Sequence, residues 1–356
     1  MRRPCIEIDV EKIKHNANCL VKQCGEKGIE IMGVTKGVCA YLPVVQAMLE
    51  GGVKKLGDSR MQNIMALRKA GVENPIYLIR IPMISEVQDV VYYADGSLNS
   101  EIDVIKALAR EAKKLGKVHK VILMVDVGDL REGVMPEDVL DVVGEILKLE
   151  GIEFEGLGTN VGCYGAILPS YENTKILVDL AANIEKKYGI KVRTISGGNT
   201  ATLSLVERGK LPEGVNQLRV GEGILLGTDT THNFRKVPGT VQDTMKLKTE
   251  IIEVKVKPSY PIGEIGRDAF GNVPVYEDRG PMRRAIVALG KQDCRIEGLK
   301  PINGRIEILG ASSDHMILDV TKCPEIKVGD IVEFGVDYAA MLSLMTSGYV
   351  EKVVIR

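Results

Sequence analysis

The chain has 356 residues, 47 of them Lys or Arg and 48 Asp or Glu, for a formal net charge of −1. That balance leaves no basic excess for a nucleic-acid partner, and at roughly 100–200 residues per domain the length predicts two domains, or one large barrel with an addition. Hydrophobic residues (45%) and charged residues (27%) are in ordinary globular proportion, but aromatics are only 4% and Trp is absent, so the cores must be aliphatic.

In chain order, Met1-Arg2-Arg3-Pro4 is followed by Glu7 and Asp9 rather than an apolar stretch, which predicts no signal peptide. Residues 6–10 read as a strand feeding a helix with Ile13, Ala17, Leu20 and Val21 on one face. Eight β-rich runs then alternate with helical patterns, at 30–36, 54–59, 75–82, 96–100, 119–127, 152–161, 191–199 and 215–221. Ser100 before Glu101 and Asp103 predicts a capped helix start. Ile176, Leu177, Leu180, Ala181 and Ile184 predict the buried face of another helix. Runs such as 76–79 and 121–125 are almost continuously apolar, as in parallel strands buried on both faces, yet far shorter than the ~20 residues that span a bilayer. Eight β-then-α units in about 190 residues predict a (β/α)8 TIM barrel. An open doubly wound sheet would want a G-x-G-x-x-G after its first strand, where this chain has Thr35-Lys36-Gly37.

After Gly227 the alternation stops. Short strands at 248–255, 284–289, 305–309, 316–320, 331–334 and 350–355, with Gly and Pro turns between them, predict a C-terminal all-β domain. The expected division is 1–230 for the cofactor-binding barrel and 231–356 for a β domain completing the active site, with the boundary near 228–237. Seven scattered cysteines (Cys5, Cys19, Cys24, Cys39, Cys163, Cys294, Cys323), without C-x-x-C or H-x-x-x-H spacing, predict a reduced cytoplasmic protein with no metal site.

A barrel of this kind carries its chemistry at the C-terminal ends of its strands. There the sequence sets Lys36, Asp58-Ser59, Arg80, Asn99, Asp126 with Arg131 beyond it, Thr159-Asn160, Ser196-Gly197-Gly198-Asn199 and Arg219 followed by Gly221-Glu222-Gly223. Lys36 follows an apolar run and faces other cations. Both effects lower an amine pKa, as a Schiff-base lysine requires; the plain alternative is an ion-paired rim lysine. The Gly-rich turns after strands seven and eight are where this architecture holds phosphate. A phosphate at one end and an amine-reactive aldehyde at the other describe pyridoxal 5′-phosphate (PLP).

The stretches 6–17, 33–38, 56–64, 124–133, 156–160, 195–200, 218–227, 263–271, 283–293, 308–315, 328–334 and 345–352 together resemble the alanine racemase-like, fold type III family of PLP enzymes, and within it the ornithine branch. The resemblance implies an isomerase that interconverts L- and D-ornithine by two-base exchange of the α-proton. It implies that Lys36 binds the cofactor and is one base, and that Arg219 faces the pyridine nitrogen without donating to it. It places Ser196, Gly197, Gly198, Asn199, Gly221 and Glu222 at the cofactor phosphate, and Arg131 near the substrate carboxylate. Asp314 corresponds to an aspartate brought by the partner subunit, which implies a homodimer with composite active sites.

The chain also departs from the family. The tyrosine that serves as second base is replaced by Lys291 in the turn Gly290-Lys291-Gln292-Asp293-Cys294, which leaves Lys291, Asp293, Cys294 and His315 as candidates. Asn160 stands where the family stacks a histidine on the ring, and Ala40 where a tyrosine binds phosphate. Glu264, Asp268, Glu277, Asp278 and Asp293 could partner the distal ammonium of a basic substrate, or be solvated loop charges. Alternative readings are a racemase of lysine, arginine or alanine, a basic amino-acid decarboxylase, a metal-dependent aldolase, and a non-catalytic PLP carrier.

Overall fold

The structure, a computed structural model, describes residues 3–356; the Met1-Arg2 part of the leader reading lies outside the described residues. The chain divides into two compact units, Val10–Gln242 and residues 3–9 together with Asp243–Arg356. The opening strand, β1 (Cys5–Asp9), thus belongs to the second unit, and the division falls after Gln242 rather than after residue 230. A side chain on α1 (Val10–Gly25) explains the later boundary. Asn16 donates to the Val241 carbonyl at 2.9 Å and accepts from the Val241 amide at 2.8 Å, tying 237–242 to the first unit.

The first unit is a closed, all-parallel barrel of β2 (Glu30–Val34), β3 (Lys55–Asp58), β4 (Ile76–Leu78), β5 (Gly96–Asn99), β6 (His119–Met124), β7 (Ile152–Gly158), β8 (Thr194–Ser196) and β9 (Gln217–Val220), with β9 pairing back onto β2. Its helices are α2 (Leu42–Glu50), α3 (Met61–Lys69), α4 (Val87–Tyr93), α5 (Ile102–Lys114), α6 (Val139–Ile146), α7 (Tyr171–Tyr188), α8 (Leu203–Glu207) and the single turn α9 (Glu222–Leu225). A short hairpin of β10 (Thr228–Asp229) and β11 (Arg235–Lys236) follows. Met32, Tyr77, Leu98, Ile122 and Met124 come from four strands yet pack together, so they fill the barrel interior. The alternate residues Val121, Leu123 and Val125 pack outward against Val143 and Ile146 of α6 and Leu177, Leu180, Ala181 and Ile184 of α7. Fully buried Leu177 and Ile184 stabilise by about 1.5–3 kcal/mol each.

The eight β-rich runs are the eight barrel strands, each trimmed at one or both ends. Ser100 does not cap a helix: the chain leaves β5 extended through Glu101, which is the N-cap of α5 and makes no side-chain cap bond. α7 carries the capping box instead, where Ser170 Oγ accepts from the Asn173 amide and Asn173 Oδ1 accepts from the Ser170 amide.

The second unit is a sheet of β1 with β12 (Met245–Pro258), β13 (Pro281–Val287), β14 (Leu299–Pro301), β15 (Glu307–Ala311), β16 (Met316–Asp319), β17 (Ile331–Val336) and β18 (Glu351–Ile355). Its pairings are antiparallel except β1 with β18. The unit is not purely β. Residues 338–346 form α10 (Tyr338–Thr346), capped by Asp337, whose Oδ1 accepts from the Ala340 amide at 2.8 Å, and buried along Ala340, Met341, Leu344 and Met345. Among the described residues no helix is long and apolar enough to cross a membrane.

Candidate active site

β2 stops at Val34, and Lys36 opens a 3-10 turn (Lys36–Val38) that ends with Cys39 and Ala40 both in the left-handed region. The turn is pinned from beneath. The Thr35 hydroxyl donates to Asp58 Oδ2 at 2.6 Å, and Asp58 Oδ1 accepts from the Arg60 amide and Asn63 Nδ2, each at 2.9 Å. Burial raises the Asp58 pKa, and these donors oppose the rise. Lys36 is half-buried. Burial pushes its amine below the usual lysine range; the Arg131 and Arg219 charges push the same way, while Cys163 and Asp58 oppose them. The result is an amine that gives up its proton more readily than a surface lysine, as a nucleophile and proton carrier must.

Arg219 is 5% exposed, yet no carboxylate pairs with it among the described residues. Its guanidinium donates to Ser196 Oγ at 2.6 Å and to the Thr159 carbonyl at 2.5 Å, and burial, helped by Arg131, pushes its pKa down to about 10. It is still a cation at neutral pH and still offers only donors.

The turn after β8 is shaped by its glycines. A Cβ on Gly198, whose φ is +123°, would sit 2.5 Å from Thr202 Oγ1, and one on Gly197 would sit 2.6 Å from Val215 Cγ1. Both carbonyls of this turn are already used, Gly197 by the Thr202 hydroxyl at 3.1 Å and Gly198 by the Arg219 amide at 3.0 Å. The Gly197 amide is engaged as well, on the Gln217 carbonyl at 3.0 Å, so what the turn has left to offer is the N–H groups of Gly198 and Asn199, donors of the kind that hold a phosphate. Asn199 caps the turn that follows by accepting from the Ala201 amide, and donates to the Val161 carbonyl and to Asn160 Oδ1. After β9, a Cβ on Gly221 would press on Val34 at 3.2 Å. The Glu222 carboxylate is committed locally, since its Oε1 accepts from Thr228 Oγ1, the Thr230 amide and Thr230 Oγ1, and burial raises its pKa. At this position only the main chain suits an anion.

Two longer loops, after β6 and β7, carry the remaining groups. Asp126 Oδ1 accepts from the Gly128 and Leu130 amides and so bends the loop that bears Arg131. Arg131 binds its neighbour Glu132 through two nitrogens and donates from Nη1 to Cys163 Sγ at 2.8 Å. Asp129 accepts from the Cys163 and Tyr164 amides, each at 3.2 Å. Sequence reasoning overlooked Cys163, because its partner lies 32 residues away on another loop.

The second unit brings its own predicted residues together. The Lys291 and Gln292 amides donate to the carbonyls of Ser312 and Ser313, so the Gly290–Cys294 turn lies against the turn bearing Asp314 and His315. A Cβ on Gly290 would overlap the Ser313 carbonyl oxygen at 2.1 Å, which makes glycine obligatory there. Asp293 is buried and accepts from Ser347 Oγ at 2.8 Å. Cys294 is buried, and burial pushes its thiol up to about 12. Asp314 and His315 are exposed, with Ser313 Oγ donating to Asp314, and Lys291 Nζ sits 4.5 Å above the Phe270 ring.

With that geometry in place, comparison with known proteins is informative. Residues 8–229 match the family model of the alanine racemase N-terminal domain. An ornithine racemase of Acetoanaerobium sticklandii is 46% identical over 98% of this chain and 99% of its own length. A lysine racemase of Thermotoga maritima is 43% identical over 98% of each. Among solved structures, an alanine racemase from E. faecalis superposes with a TM-score of 0.74 at 18% identity, covering 99% of this chain and 98% of that one, a likeness of fold.

Proposed function

This chain belongs to the alanine racemase family, and from that footing we propose that it is a PLP-dependent amino-acid racemase interconverting L- and D-ornithine. The observation that carries the reading is the join of Lys36, an amine with a depressed pKa, to a buried arginine without a carboxylate partner and two glycine-shaped turns. The residues fit the cofactor. Lys36 is the amine for its aldehyde. Arg219 suits its ring nitrogen, and the main chain at Ser196–Asn199, Gly221 and Glu222 suits its phosphate, with Asn160 beside Asn199. When bound, PLP supplies an electron sink for the substrate α-carbon.

The chain's own residues do the rest. Lys36 Nζ carries the α-proton on one side of the substrate, and Arg219, unable to hand over its proton at neutral pH, keeps the reaction at proton exchange. Arg131 receives the substrate carboxylate by exchanging its bond to Glu132 for one to substrate. Asp314, His315 and Asp293 lie together on the second unit, and in this reading they are supplied as a group by a second copy in a cytoplasmic homodimer. Ornithine is favoured over lysine by the ornithine racemase likeness, but the lysine racemase stands at nearly equal identity and makes lysine the second reading.

The test is a chiral assay of the purified, PLP-loaded chain with the L-forms of ornithine, lysine, arginine and alanine. The expected result is D-ornithine formed fastest. Faster turnover of lysine or alanine overturns the substrate, and putrescine in place of D-ornithine overturns the reaction.

A further inference from the structure

We propose that the N-terminal end of the barrel is a second binding site, apart from the catalytic end, for a free amino acid held with its carboxylate on Lys120 and an ammonium on Glu30 and Gln217.

The chain puts polar residues here, where a barrel interior is usually filled by branched apolar ones. Glu30 on β2 and Lys120 on β6 each stand two residues before an interior side chain, Met32 and Ile122, and so face inward as well. Gln217 opens β9 and is the register partner of Glu30, which sets the two side by side on one wall. In the closed eight-stranded barrel β6 lies four strands round from β2, which puts Lys120 on the opposite wall. All three line a cavity of about 400 Å³, within the size range of small-molecule pockets.

Most polar groups around the cavity are already engaged. Arg193 pairs with Glu153, Lys55 bridges Glu30 Oε2 and Glu155, and Glu155 also accepts from the Tyr77 and Thr194 hydroxyls. Three groups are left over. The half-buried Lys120 ammonium makes no ion pair or hydrogen bond among the described residues. Glu30 has Lys55 on Oε2 and no partner on Oε1. Gln217 is 2% exposed, its side-chain amide bonds to nothing among the described residues, and Oε1 is enclosed without a partner. A buried acceptor in that state needs a donor that the protein does not supply.

The leftover groups select the ligand by charge. Lys55, Lys120 and Arg193 balance Glu30, Glu153 and Glu155 around the cavity, but Lys55 and Arg193 serve all three carboxylates and Lys120 stands alone. A simple anion would meet the carboxylates, and a simple cation would meet Lys120. A zwitterion suits both walls. Its ammonium donates to Glu30 and to Gln217 Oε1, which a turn of the amide about its loose terminal torsion brings to the cavity, and its carboxylate accepts from Lys120.

The test is isothermal titration calorimetry of the PLP-loaded enzyme with L-alanine, L-ornithine and 5-aminopentanoate, which carry an ammonium at the α-carbon, at both positions and at the far end. Pentanoate and pentylamine, with one charge each, are the controls. At least one amino acid is expected to bind with a Kd below about 1 mM, about tenfold or more tighter than either control. Lys120→Gln and Gln217→Leu are each expected to weaken this binding by about tenfold or more, the loss of one hydrogen bond to a charged group. The change in the cofactor spectrum on adding L-ornithine should be untouched by either substitution, which separates this site from the catalytic one. Tm should not fall, since neither side chain has a partner to lose. Equal binding of pentanoate or pentylamine overturns the proposal, as does binding that survives either substitution. Absence of amino-acid binding up to about 20 mM leaves water as the occupant and overturns it too. The site does not rest on the racemase reading, and the chiral assay tests that reading separately, so either can fail without the other.

Discussion

The two ends of the barrel treat charge in opposite ways. At the N-terminal ends of the strands two cations have carboxylates: Lys55 pairs with Glu30 at 2.9 Å and with Glu155 at 3.8 Å, and Arg193 pairs with Glu153. Glu155 also accepts from the Tyr77 hydroxyl at 2.7 Å and from Thr194 at 3.2 Å, so a carboxylate that is only 6% exposed is fully partnered. At the C-terminal ends, Lys36 and Arg219 lie near Arg131, whose own carboxylate partner is Glu132; Arg219 has only a hydroxyl and a carbonyl, and the Asp58 carboxylate is bonded to Thr35 and Asn63. Neutralised charge holds strands together; Lys36 and Arg219, kept short of carboxylate partners, have weakened protonated forms and are ready for an anionic ligand. Sorting the charges this way separates stability from chemistry within one barrel.

The contrast breaks if the two ends respond alike to substitution. The largest effect is expected from Lys36→Ala. Racemisation should fall by about 10³-fold or more, and borohydride should trap no PLP on the 33–38 peptide by mass spectrometry, while Tm is unchanged or raised, since a half-desolvated amine is removed. Next is Glu155→Ala, expected to lower unfolding free energy by about 3–5 kcal/mol because the Tyr77 hydroxyl and part of the Lys55 charge lose their partner. Activity per folded molecule should be retained, and urea titration beside initial rates checks both. The smallest of the three is a pH effect at the start of β6. Burial pushes the His119 imidazole down to about 4, and it is bonded at 2.8 Å to Ser97. An unfolded histidine titrates near 6.5, so between these values the unfolded chain binds the extra proton. The contribution is complete above pH 6.5 and is lost as pH falls toward 4, a drop on the order of 3 kcal/mol. His119→Gln should flatten the difference between urea midpoints at pH 7.5 and pH 5; an unchanged difference places the acid sensitivity elsewhere.

Much of this was legible in the residues alone, for physical reasons that differ from place to place. The barrel strands are short apolar runs that nothing but burial on both faces explains, and Lys36 and Arg219 stand where such runs end. The glycine turns declare themselves because each lacks a side chain where one would collide with Thr202, Val215 or Val34. Other features depend on partners distant in sequence. Nothing near Cys163 announces Arg131. Nothing in residues 231–242 announces Asn16, whose paired bonds draw the boundary onward to Gln242. Ser100 has the composition of a cap but not the backbone, since the chain stays extended one residue further. Helix α10 was hidden because Tyr338–Thr346 is mostly apolar and offers little contrast between its faces.

The pairing of β1 with β12 and β18 bears on how the molecule is made. Cys5–Asp9 sits parallel to Glu351–Ile355 and antiparallel to Ile8-facing Met245 and its neighbours, so an early strand of this sequence is completed by a much later one. About 340 residues must be translated between them, a loop closure that contact-order reasoning makes slow. The barrel can form while synthesis continues, but the sheet of the second unit must await β18, and a nascent β1 meanwhile carries two unpaired edges that need shielding from aggregation.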